Sequence, residues 1–269
     1  MRRSLTSMLL GALVASPLLA DDAQPVAVRH REGLVHGFLV LRTQEGATLA
    51  SGDLIQDVRG DRVTSRLVFA FRDGSLHDET AVFTQQRHFR LVSYHLVQKG
   101  PAFPRALDVS LDGGNGKTTI RYTDDGKEKV EAEKVKLPAG LANGVLPILL
   151  KNIRPDTPKT TLALLAATPK PRLVNLEITA AGDEPFEVAG SSRKATHYVV
   201  KVDIKGLAGL LAPLMGKQPP DSHVWILQGE APAFVKSESP FYPDGPLWRI
   251  ELASPAWSQA ASSASSLRP

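Results

Sequence analysis

The chain has 269 residues, 42% of them hydrophobic and 22% charged, with 21 glycines and 20 prolines. That is the composition of a globular protein long enough for one large or two small domains, and it excludes disordered and collagen-like chains. The formal net charge is only +4, and no basic run is long enough to follow a phosphate backbone, so nucleic acid is not an expected partner.

Residues 1–20 read MRRSLTSMLLGALVASPLLA, with basic Arg2 and Arg3, an apolar stretch from Leu5 to Ala15, the helix breaker Pro17 and the small Ala20. This is the layout of a cleaved secretory signal, with a mature chain expected to begin near Asp21. The sequence has no cysteine, so neither a disulfide nor a lipid-bearing N-terminal Cys is available, and stability must come from a core. No later apolar run reaches the roughly 18 residues of a spanning helix. The expectation is a soluble periplasmic protein, neither a lipoprotein nor integral to the membrane.

Turn signals then recur every 13 or 14 residues: Glu45-Gly46, Arg59-Gly60-Asp61, Asp73-Gly74, Gln85-Gln86-Arg87, Lys99-Gly100-Pro101, Asp112-Gly113-Gly114 and Asp124-Asp125-Gly126. Gly and Asp supply the positive φ of tight hairpins, and the stretches between are rich in β-branched and aromatic residues. Within one stretch Val63, Ser65, Leu67, Phe69 and Phe71 share a face opposite Thr64, Arg66, Val68, Ala70 and Arg72, as a half-buried strand requires. The spacing predicts a long antiparallel meander.

Residues Gly140 to Ile153 break the pattern. Leu141, Val145, Leu149 and Leu150 stand near helical spacing, with Gly144 and Pro147 weakening continuity, which predicts a short, kinked apolar helix. Beyond it, strands are predicted at Thr160–Ala166, around Val174, Leu176 and Ile178, around Tyr198, Val200 and Val202, and at His223–Gln228, Ala233–Ser239 and Leu247–Leu252. Between two of these lies the apolar connection 205–220, carrying Leu207, Leu210, Leu211, Leu214 and Met215, which folds over the sheet as a lid or projects as a docking loop. The tail 254–269, SPAWSQAASSASSLRP, reads as disordered. A single β-rich domain over 21–253 is expected, with two β subdomains meeting near 154–158 as the other division.

The secretory signal, the evenly spaced long strands and the apolar helix after the meander together resemble the curved half-barrels of the bacterial periplasm. These include the outer-membrane lipoprotein carrier and a related periplasmic family of unknown function. The resemblance covers Leu34 to Ile153 and implies a mainly β fold, a bent antiparallel sheet closed by a short helical lid. It transfers no binding residue, and the strand-rich stretch from Pro158 to Leu252 makes this chain longer than a minimal carrier.

Familiar catalytic patterns are missing. Gly116-Lys117-Thr118 lacks the earlier glycine of a phosphate loop, since Leu111 stands there, and a strand-like segment follows it. Ser191 and Lys194 have Ser-x-x-Lys spacing, but in an extended chain they point to opposite faces. His77-Asp78-Glu79 is the best metal or acid/base candidate, but adjacent residues on a strand diverge, and a solvated polar hairpin is the favoured reading. No metal, cofactor or catalytic residue is assigned, and an enzyme is not the favoured class. Phe69, Phe71, Tyr94, Leu149, Leu150, Trp225 and Trp248 serve either as core or as the lining of a concave ligand site, because a tall sheet curls and leaves space on one side. Two functions follow: a non-enzymatic carrier or sensor for a lipid or other apolar ligand, or an envelope interaction protein with a filled core and a docking loop at 205–220.

Overall fold

The computed structural model describes residues 23–188, 190–203 and 219–253. The signal-like residues 1–20, the tail 254–269 and the apolar residues Leu207, Leu210, Leu211, Leu214 and Met215 lie outside them. In chain order the elements are β1 (Val35–Arg42), β2 (Thr48–Arg59), β3 (Arg62–Phe71), β4 (Leu76–Gln85), β5 (Phe89–Lys99), β6 (Leu107–Asp112), β7 (Lys117–Asp124) and β8 (Lys127–Lys134). There follow α1 (Leu146–Asn152), β9 (Thr160–Ala166), β10 (Arg172–Val188), β11 (Ser191–Asp203), β12 (Ser222–Leu227), β13 (Ala233–Pro240) and β14 (Leu247–Leu252).

The fourteen strands of the described residues all belong to one antiparallel sheet, in the order β8-β7-β6-β5-β4-β3-β2-β1-β14-β13-β12-β11-β10-β9. Two meanders therefore meet where β1 pairs with β14, Leu41 opposite Ile250. The outer strands β8 and β9 do not pair with each other, so the sheet is curved but open. Its curvature shows in the packing: one apolar cluster joins Phe83 and Tyr94 of the first meander, Leu176 and Val224 of the second, and Leu149 and Leu150 of α1. Residues far apart along a flat sheet could not share a core.

The predicted helix is real but shorter. Gly144 is a turn residue with φ of 66°, and a Cβ there would lie 2.8 Å from the Cβ of Ala81, so both conformation and space require glycine. Pro147 does not kink the helix but occupies its first turn, where its missing N–H costs no hydrogen bond. Residues 140–142 run beside β9, with Ala142 N donating to Ala163 O at 2.8 Å and Ala163 N to Gly140 O at 2.8 Å. This covers part of an otherwise open sheet edge.

The segment before β1 straps the same end. Phe89 N donates to Val26 O (3.0 Å) and Gln24 N to Thr161 O (3.1 Å). The side-chain oxygen of Asn152 accepts the backbone N–H groups of both Arg29 (2.8 Å) and His30 (2.7 Å). Gln85 exchanges two hydrogen bonds with the backbone of Glu32, whose carboxylate lies 2.5 Å from Lys151 Nζ.

Candidate functional site: a strip on the concave face

Side chains alternate across each strand, so the inward positions of neighbouring strands form rows across the sheet. One row runs Leu39, Gly52, Phe69, His77, each residue opposite the next, and all four are buried. It belongs to an aromatic cluster that closes one end of the concavity, where Phe71, Phe103 and Trp248 pack with Phe241 and Tyr242. Gly52 allows this: a Cβ there would lie 2.4 Å from the Phe69 ring. A second row runs Val35, Gln56, Ser65, Ala81, Tyr94, buried from Gln56 onward and leading into the α1 cluster.

Between them lies the row Gly37, Leu54, Leu67, Glu79. All four residues are partly exposed although both flanks are buried. Leu54 and Leu67 lean against the aromatic cluster but are not covered by it. It crosses four strands, about 14 Å at the usual strand spacing. Its floor is apolar, since Gly37 contributes no side chain and Leu54 and Leu67 present only methyls, and a carboxyl group stands at its far end.

That carboxyl is held in place. Tyr94 Oη donates to Glu79 Oε1 at 2.8 Å, while the amide of Asn143 clamps β9 by giving a hydrogen bond to Leu165 O (2.9 Å) and accepting one from Leu165 N (2.8 Å). The strip is sheltered enough that burial pushes the Glu79 carboxyl above its ordinary value, against the lowering effect of the Tyr94 hydroxyl. Burial likewise drives the Tyr94 phenol well upward. One row away, burial lowers His77 to about 4, opposed by the charge of Asp78, so its imidazole is neutral at pH 7. Gln98 Nε2 lies 3.1 Å from His77 Nδ1 and donates to Phe241 O at 2.8 Å, tying the β13–β14 loop to β5.

The structure separates the lining candidates. Phe69, Phe71 and Trp248 fill the aromatic end, and Tyr94, Leu149 and Leu150 fill the α1 end; of these, Tyr94 meets the strip directly through Glu79. Trp225 lies on the opposite face, because Val224 and Ile226 on either side of it point inward. Its ring stacks on His197 at 4.3 Å, its Nε1 donates to Glu184 (2.8 Å) and Lys236 Nζ lies 3.9 Å above it. His77 and Glu79 do not form a solvated hairpin: β4 begins at Leu76, so alternation turns both inward while Asp78 faces out to Arg66 at 2.6 Å. The signal for Glu79 in the sequence is the alternation of His77, Asp78 and Glu79 within β4, masked by the nearby Asp73-Gly74 turn.

Among the described residues no group of histidines and acids has metal-binding geometry, and no helix is long and apolar enough to cross a membrane.

The fold and strip define an open, curved antiparallel half-barrel with a partly filled concave face. The structure is similar to the crystal structure of a beta-barrel-like protein of DUF1849, a domain of unknown function, from Brucella abortus, with 8% identity over 82% of this chain and 98% of that one and a TM-score of 0.46. It is also similar to the hypothetical lipoprotein YmcC from Escherichia coli, with 12% identity over 83% and 86% of the two chains and a TM-score of 0.37. The likeness is weak and one of architecture. No family model matches the sequence, and no curated protein matches it.

Proposed function

We propose that the chain is a non-enzymatic carrier or sensor of the bacterial envelope, exported with loss of residues 1–20, that binds an apolar or acyl ligand along the concave strip. The supporting observation is the row Gly37, Leu54, Leu67, Glu79, left partly exposed between two buried rows. Apolar surface in a sheltered concavity gains about 25 cal/mol per Å2 when a ligand covers it. A single domain over 21–253 draws support from the pairing of β1 with β14, which joins the two strand-rich stretches in one sheet.

A second reading, an envelope interaction protein, draws support from exposed apolar side chains on the outer face of β1 and β2. Phe38 is 52% exposed and Ile55 43% exposed.

The deciding measurement is titration of the purified, delipidated chain with a neutral fluorescent alkyl-pyrene. Saturable binding near one probe per chain, weakened at least fivefold in the double variant Leu54→Gln/Leu67→Gln, is expected of a carrier. No saturable binding, or binding indifferent to the double variant, overturns the carrier reading and favours the surface one.

A further inference from the structure

We propose, resting on the carrier reading, that the strip selects amphiphiles with a cationic amine head, which Glu79 receives as an ion pair while the chain lies over Leu67, Leu54 and Gly37. The geometry at Glu79 is one-sided. Oε1 accepts the Tyr94 hydroxyl, whereas Oε2 takes no hydrogen bond among the described residues and belongs to a partly exposed side chain. It is the one carboxylate on these three rows, and no Lys or Arg stands on any of them.

This arrangement discriminates by charge. An anionic head, carboxylate or phosphate, finds no counter-charge and faces an acid. A hydroxyl head gains a neutral hydrogen bond. An ammonium head gains a charge-assisted one, roughly twice as strong, in a sheltered site where unpaired charge is costly. The Tyr94 hydroxyl holds the carboxylate in register so that little ordering remains on binding.

The titratable groups facing Glu79 are few. Among the described residues, His77 on the same strand is two residues away and neutral at pH 7, and from β5 Tyr94 approaches with its phenol protonated. From β3 the neighbour is Leu67, and Asn143, beside Tyr94, does not titrate. As pH falls from 7 the charge of the site therefore follows Glu79, whose carboxyl is raised above its ordinary value by burial. Ligand preference should decline as pH falls and the carboxyl takes up a proton.

The test is competition against the alkyl-pyrene by dodecylamine, dodecanol and dodecanoate, each below its aggregation threshold. At pH 7 dodecylamine should displace the probe at least tenfold more effectively than dodecanol, with dodecanoate weakest. The amine-to-alcohol ratio should fall as pH is lowered into the raised range of the Glu79 carboxyl, and Glu79→Gln, which can still accept the Tyr94 hydroxyl, should bring it to within twofold of unity. If that variant does not fold, the wild-type pH series decides. Probe binding with no amine preference, or a preference that ignores pH, overturns this proposal and leaves the carrier standing. A probe that does not bind overturns both.

Discussion

The two ends of the concave face are filled by different means. At the α1 end the closing elements come from far along the chain: residues 23–32, the stretch 140–153 and strands of both meanders. Their aliphatic packing is threaded with buried polar ties, Asn152 to Arg29 and His30, Gln85 to Glu32, and Lys151 to Glu32. At the aromatic end the closing pieces are hairpin loops, with Phe103 from the β5–β6 loop and Phe241 and Tyr242 from the β13–β14 loop. Ring centroids there are 5.2 to 6.1 Å apart, and the polar ties are fewer, among them Gln98 to the Phe241 carbonyl and the Ala102 N–H to the Ser75 hydroxyl. Aromatic rings fill volume without directional partners, whereas a strap of irregular backbone must find an acceptor for every buried N–H. The strip between them lies where the two fillings stop short of each other.

Breaking the aromatic end should have the larger effect. Phe69 is fully buried and stands over Gly52 against Phe241. Phe69→Asp removes its ring and leaves a carboxylate with no partner, a loss of well over 4 kcal/mol. A chain without a cooperative thermal transition is expected; an unchanged midpoint would show that the aromatic end does not support the sheet.

At the other end, Asn152→Ala should cost about 3 kcal/mol, since it strips the acceptor from two backbone N–H groups and the donor from the Ile148 carbonyl. The distinctive readout is local. Limited trypsin digestion should cut at Arg29 or Arg31 at protease levels that spare the wild type, with the β5–β6 loop still resistant. Global sensitivity instead would mean the strap and the sheet unfold as one.

Most of the meander was legible because turn chemistry and alternation are local. The strands at Thr160–Ala166 and Leu247–Leu252 have the predicted bounds, and the face carrying Val63, Phe69 and Phe71 is the buried one. Aromatic type does not record the face: Trp225 and Trp248 look alike as residues, but Val224 and Ile226 point inward and turn Trp225 outward. The strip was not legible. It depends on which inward residues of four strands stand opposite one another, a register that turn lengths set across β1 to β4. It also depends on how far two remote fillings reach, which spacing within a strand does not record.

The smallest effect is expected where the two fillings face each other across the strip, at His77 and Glu79. Burial lowers His77 from 6.5 to about 4, so the unfolded chain binds its proton first. His77 alone therefore removes stability as pH falls from 6.5 towards 4, about 2 kcal/mol between pH 7 and 5. Glu79 has the opposite sign: its value is raised above 4.5, so the folded state holds its proton longer and stability is lost as pH rises from 4.5 through the raised value. His197, lowered mainly by burial, slopes the same way as His77 but lies on the outer face, and it is common to any variant at position 77. His77→Asn keeps an acceptor for Gln98 Nε2 in the place of Nδ1. Urea unfolding at pH 5, 6 and 7 should then show the variant losing less stability than the wild type as pH falls, by about 2 kcal/mol over the range. Parallel profiles for the two proteins would mean that His77 takes up its proton in the folded state as readily as in the unfolded chain, and that the aromatic end accommodates the charge.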